Sequence, residues 1–307
     1  MKNDPVQSAL ARLDEIPLRT PEGRKEMAKA LAAKSNLVVA KAARLVGDAQ
    51  WTELTDDLVA AFDRFVKRGA EADKGCAATM AVARALFNMD YDEPDLYLSG
   101  MRHVQMEPTY GGSVDTAAEL RAVCAMGLAN TRYPGKLRAF VDLLVDREWQ
   151  ARAGAARALA TAGSEAALLL LRFKALTGDR DPEVIADCFS GLLSAEGADA
   201  VLFVSSFATS RGKEIREVAI LALGASRRAD AIEWMKQRFG EIADAETRKC
   251  ILLSLATART DAAIEFLIDV IRNGSSMASQ LAVAAMEINR GDRTIQGRVE
   301  EAVRLRG

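Results

Sequence analysis

Histidine is almost missing from this chain: His103 is the only one in 307 residues. A Ser-His-Asp or Cys-His site would have to pass through that single ring, and no Gly-x-Ser-x-Gly elbow accompanies it. Nucleophilic catalysis of that type therefore has no support. There is no GxxxxGK[ST] and no GxGxxG behind a strand, so a phosphate-binding loop is equally unsupported. Cysteine is sparse as well, with four at positions 76, 124, 188 and 250 that form neither a CxxC pair nor the dense framework of a small secreted domain. They read as reduced core residues. Charge of one sign is not in excess, since 41 Lys plus Arg face 43 Asp plus Glu. A polyanion ligand normally needs a basic stripe, so nucleic acid is not the expected partner. No apolar run reaches membrane length; the run from Ala166 to Leu171 already meets Arg172. The opening MKNDPVQSALARLDEIP has acids where a signal peptide needs bases. A soluble, cytoplasmic protein without membrane contact is the expectation.

What is present is a repeat. An alanine-rich amphipathic motif appears as LRAVCAMGLA (120–129), ARAGAARALA (151–160), IREVAILALG (215–224) and TRKCILLSLA (247–256), with degenerate copies starting at 38, 77, 184 and 278. A large apolar residue closes each copy: Val46, Leu86, Leu128, Leu159, Leu192, Leu223, Leu255 and Met286. From Leu128 onward the spacing stays between 31 and 33 residues. A second amphipathic segment separates successive motifs, as in Ile232, Met235, Phe239 and Ile242, whose spacing puts them on one helical face. Such a unit is a helical hairpin stacked on copies of itself. Strands have no obvious home. Helix starts are marked by Asp4-Pro5, Thr20-Pro21 and Asp181-Pro182, and Thr116 to Glu119 reads as a capping box.

These motifs resemble the HEAT family, and more closely its bacterial HEAT-like branch, first noticed in bilin lyases, whose consensus runs roughly V-R-x-x-A-A-x-A-L-G. The resemblance covers about residues 20 to 290. Arg121, Arg152, Arg216 and Arg248 stand at the consensus arginine, and Asp181 and Asp244 at the aspartate that often precedes it by four residues. The resemblance implies a structural ladder between repeats for these six, with a ligand-gripping role as the alternative. It also implies an all-α, right-handed α-solenoid of about eight HEAT-like helical hairpins with terminal capping helices. The expected organisation is a capping helix over 1–19, the repeat array over 20–290 and a second capping helix over 291–307.

The family is mostly scaffolds, so fold does not dictate function. Its metal-dependent hydroxylases need several His-Glu pairs, and no such dipeptide occurs here. No metal and no cofactor are expected. HEAT-like DNA glycosylases use exposed tryptophans above a cationic groove, which this composition does not show; Trp51, Trp149 and Trp234 are expected to cover seams between repeats.

One interval breaks the rule. Leu86 and Leu128 are 42 residues apart, and the expanded segment 87–115 holds Tyr91, Tyr97, Tyr110 and His103. Insertions in a solenoid emerge at one edge, often the binding edge. Tyr110, His103, Glu107 and Tyr97 are the candidate partner-binding residues, with packing as the open alternative: Tyr97, Met101 and Val104 keep helical spacing and Gly111-Gly112 marks a turn. The acids at 90, 92, 93 and 95 do not follow the EF-hand order. The expected function is a non-catalytic interaction scaffold that binds another protein through its concave face, the 87–115 segment, or both. The alternative is a bilin-lyase-like enzyme or accessory holding a cofactor or acceptor protein.

Overall fold

The structure is a computed structural model that describes residues 5–195, 197–210 and 212–306. Asp4 lies outside the described residues. The protein is all-α and of solenoid type, with eighteen α-helices among the described residues. Helix α1 (Pro5–Asp14) is followed by three complete pairs: α2 (Pro21–Leu31) with α3 (Asn36–Asp48), α4 (Thr55–Arg68) with α5 (Ala77–Asn88), and α6 (Pro94–Arg102) with α7 (Ala118–Asn130). Next come α8 (Lys136–Leu143) with α9 (Trp149–Ala162), and α10 (Glu165–Thr177) with α11 (Pro182–Ala195). The last pairs are α12 (Ala198–Ser210) with α13 (Lys213–Ala225), α14 (Ala229–Glu241) with α15 (Ala245–Ala258), and α16 (Asp261–Asn273) with α17 (Ser276–Met286); α18 (Arg293–Arg306) ends the chain. The chain divides into two compact units, Met1–Leu170 and Leu171–Gly307, so the division falls inside α10. No helix among the described residues is long and apolar enough to cross a membrane.

In the first unit the motif helices α3, α5, α7 and α9 pack side by side in order, and α1 closes against α3. In the second unit α11, α13, α15 and α17 do the same, while α18 covers α16. The repeating apolar column explains this stacking. Val46, Leu86, Leu128 and Leu159 in the first unit, and Leu192, Leu223 and Leu255 in the second, are fully buried. Full burial of such a side chain contributes roughly 1.5–3 kcal/mol. Small residues between the column positions let helices approach. At Gly154 of α9 an added Cβ would meet the Ala122 Cα of α7 at 2.4 Å, so only glycine permits that contact.

Helix starts are capped largely as the sequence implied. The Thr20 hydroxyl accepts the Gly23 N–H at 3.0 Å, Asp181 accepts the Glu183 N–H at 3.0 Å, and Asp244 accepts the Thr247 N–H at 3.0 Å. Two expectations need correction. Strands do exist: β1 (Met106–Thr109) and β2 (Gly112–Asp115) form an antiparallel hairpin, pairing Met106 with Asp115 and Thr109 with Gly112. Gly111 closes its two-residue turn at φ +92°, a region that other residues rarely adopt. The capping box at Thr116 is absent, because the hairpin uses that hydroxyl; the first N–H of the turn, from Ala117, goes instead to the Asp115 carboxylate at 3.0 Å.

Candidate functional site

The expanded repeat is anchored by a buried polar network. Glu107 on β1 is only 7% exposed, and its Oε1 accepts the Gly75 N–H at 2.6 Å, the Gln105 amide at 2.7 Å and the Thr116 hydroxyl at 2.9 Å. Gln105 also donates to the Asp73 carbonyl at 2.8 Å. Asp73, fully buried in the turn before α5, accepts the Ala78 and Thr79 N–H groups at 2.8 Å each. The hairpin therefore hangs on the same turn that starts α5. On its second strand Asp115 pairs with Arg121 at 2.8 Å, and Arg121 reaches across to Asp146 at 3.0 Å and to the His103 carbonyl at 2.9 Å. An ion pair this deep is held by its completeness: loss of either partner would leave a buried charge.

The electrostatics follow from this geometry. The Gly75 N–H, then the Gln105 and Thr116 donors, hold the Glu107 carboxyl below its usual range against the cost of burial. Burial pushes Asp115 up, yet the Gln105 and Ala117 N–H groups and the Arg121 guanidinium outweigh it and bring it below the ordinary value. Arg121 is likewise held above its ordinary value by Asp146 and Asp115, against burial. Burial raises the neighbouring Cys76 thiol to about 11.

The four candidate binding residues do not form one patch. Tyr110 stands at the hairpin tip, fully exposed. His103 is half-buried with its Nε2 3.4 Å from the Gln105 amide oxygen. Glu107 is turned inward as described. Tyr97 is completely buried: its hydroxyl donates to the Tyr91 carbonyl at 2.9 Å and its ring fills the space left by Gly127.

Among the six charged residues at consensus positions, Arg121 joins carboxylates of neighbouring hairpins, Asp115 and Asp146. Arg152 donates to the carbonyls of Asp146 and Arg147 at 2.9 Å each, and the Arg248 guanidinium lies 4.7 Å from the Phe239 ring centre. Asp181 and Asp244 cap α11 and α15, and Arg216 lies close enough to Asp244 to help lower its carboxyl, after the stronger effect of Thr247.

A second feature escaped the sequence. The free faces of α5, α7 and α9 enclose a groove of about 500 Å³. Arg84, Phe87 and Asn88 line it from α5, Glu119, Ala122, Val123 and Met126 from α7, and Trp149, Gln150 and Arg157 from α9. Ala122, which packs against Gly154 of α9, is the smallest side chain lining it. Trp149, expected to seal a seam, is instead 39% exposed on the groove wall, while Trp51 is 4% exposed and does pack inside. No group of three or more metal-ligating side chains is found among the described residues.

No protein-family model matches the chain, and no curated protein matches it. Solved structures similar to it include human deoxyhypusine hydroxylase in complex with glycerol, at 17% identity over 83% of this chain and 91% of that one, with a TM-score of 0.31. The complex of CpcE and CpcF of phycocyanin lyase from Nostoc is similar at 15% identity over 94% of each chain, with a TM-score of 0.33. Kap121p bound to Pho4p is similar at 12% identity over 98% of this chain and 37% of that one, with a TM-score of 0.46. Function therefore rests on this chain's own surfaces.

Proposed function

We propose that the chain is a non-catalytic interaction scaffold that holds a segment of another protein against the free face of α5, α7 and α9, with the 106–115 hairpin as a second contact. The groove carries this reading: Trp149, Met126, Val123 and Phe87 offer apolar and aromatic surface between polar walls, the anatomy of a protein-binding patch. The anchored hairpin supports it. Its backbone is fixed by buried hydrogen bonds, so Tyr110 is presented on a support that needs little ordering when a partner binds. Of the four candidates named from the sequence, Tyr110 is proposed as the direct contact and His103 as its flank, while Glu107 and Tyr97 hold the platform. The four arginines and two aspartates are proposed as structural.

The test is site-specific photocrosslinking in lysate of the native host. A benzophenone side chain placed at 126 or at 110 should capture the same protein, whereas one placed at Lys236 on α14 should not. Capture of one set of proteins from all three positions, or none from 126, would remove the proposal.

A further inference from the structure

The face of α5, α7 and α9 belongs to a longer column whose charge is specific to the first unit. Two residues before each buried column position stand Arg44, Arg84, Met126 and Arg157 on α3, α5, α7 and α9. The equivalent positions of α11, α13, α15 and α17 are Ser190, Leu221, Leu253 and Ala284. Three arginines in four places, against none in four, is not a property of the repeat itself. It is also not a property of the chain, whose net charge is −2. Arg44 and Arg84 are exposed, and neither forms a hydrogen bond or an ion pair among the described residues. Arg157 makes an interaction of its own within the protein, so Arg44 and Arg84 are the two cations this column offers to a ligand. Glu119 is the one acidic residue lining the groove.

From this column we infer that the groove takes an acidic linear segment of a partner protein, running across the helices so that carboxylates meet Arg44 and Arg84 and an apolar side chain enters beside Met126 and Trp149. The inference rests on the interaction-scaffold reading and adds the chemistry of the ligand. Helices packed side by side are about 8–10 Å apart, and an extended chain advances about 3.3 Å per residue. One helix spacing is therefore about three residues, which sets the pattern acidic-x-x-acidic-x-x-apolar, read in either chain direction. Guanidinium groups suit this role because their planar donors match a carboxylate in pairs. A nucleic-acid strand fits less well, since Arg84 in the groove and Arg44 on the preceding motif helix, with the Glu119 carboxylate on the groove wall, would neutralise few phosphates.

The experiment is selection of a random linear peptide library, long enough to cross three helices, on the immobilised full chain. Enriched peptides should carry the pattern, and their affinity should fall roughly tenfold or more in the double variant Arg44→Glu/Arg84→Glu. Arg44→Gln/Arg84→Gln should lie between that variant and the wild type. Both variants should melt with the wild type, because the two side chains are exposed. Peptides that depend on Met126, lost in Met126→Glu, but carry no acids or ignore the arginine variants would overturn the acidic inference and leave the groove reading standing. If a short single-stranded DNA displaces the peptides through Arg44 and Arg84, the acidic-peptide inference is also overturned. Failure to enrich any peptide that depends on Met126 would overturn both readings.

Discussion

Glu107 and Gly75 are 32 residues apart in sequence, yet the carboxylate of the first accepts the backbone N–H of the second at 2.6 Å. The contact fastens the β-hairpin of the third pair to the turn that starts the motif helix of the second. That turn has little conformational slack: Gly75 sits at φ +71° and Cys76 at φ +50°. An acidic side chain in a polar, tyrosine-bearing loop thus serves as an internal bracket, while Met106, Tyr110 and Val114 of the same hairpin are exposed.

The two residues should accordingly respond in opposite ways to truncation. Glu107→Ala strands the Gly75 N–H and the Gln105 amide and should cost about 1–3 kcal/mol. Tyr110→Ala should change stability by under about 0.5 kcal/mol. Urea unfolding followed by circular dichroism measures both, and a Tyr110 variant that loses as much as the Glu107 variant would mean the hairpin tip is packed.

The same bracket gives a pH dependence with a definite sign. Glu107 and Asp115 are both held below the ordinary carboxylate range, so the unfolded chain binds their protons first as pH falls. Their contribution is fully present above the unfolded values of about 4 and is lost as pH drops through the lower folded values. Glu107→Gln removes one titration. Its stability deficit against the wild type should be largest at neutral pH and shrink in acid. A deficit that is the same at neutral pH and well below pH 4 would falsify this assignment.

Fold was legible where apolar spacing alone decides it. Leu128 and Leu159 in the first unit, and Leu192, Leu223 and Leu255 in the second, recur at nearly constant intervals because each helix within a stack must offer an apolar residue to the next, and all are buried. The hairpin was hidden by Pro108, which reads against a strand although its missing N–H is harmless at an edge. The inward turn of Glu107 was hidden for another reason. A backbone N–H such as that of Gly75 leaves no trace in a sequence when it lacks an acceptor, so nothing marked the carboxylate as its partner. The groove was concealed by alanine. Arg84, Met126 and Trp149 lie in or beside the motifs that spell the core, and their free face is defined only when the sides taken by neighbouring helices are known.

Thiol chemistry offers an independent check on the core. Burial raises Cys188 to about 12, Cys76 and Cys250 to about 11, and Cys124 further still. At pH 8 an ordinary thiol is roughly a quarter thiolate, whereas one near 11 is about a thousandth. The native chain should react slowly with a disulfide reagent, starting at the half-buried Cys250, and all four should react quickly in urea. Fast native labelling of Cys124 or Cys188 would place α7 or α11 in the wrong rotation about its axis.

The most direct test of the stacking is a pair of identical substitutions with opposite expected signs. An alanine is the better helix former by roughly 0.5–1 kcal/mol, so a glycine inside a helix normally invites replacement. At Gly297 of α18, where an added Cβ would meet nothing within 4 Å, Gly297→Ala should stabilise by about that amount. At Gly154 the same methyl would lie 2.3 Å from the Ala122 Cβ and 2.4 Å from its Cα, and neither can move without shifting α7. Overpacking of this kind costs about 1–3 kcal/mol, enough to outweigh the gain in propensity. Ala122→Gly removes the opposing methyl but not the Cα, so it should recover part of the loss in the Gly154→Ala background, a coupling that distant sites would not show. Thermal melts of the three single variants, the Gly154→Ala/Ala122→Gly double variant and the wild type supply every quantity needed. If Gly154→Ala proves as stabilising as Gly297→Ala, then α7 and α9 do not touch at this point.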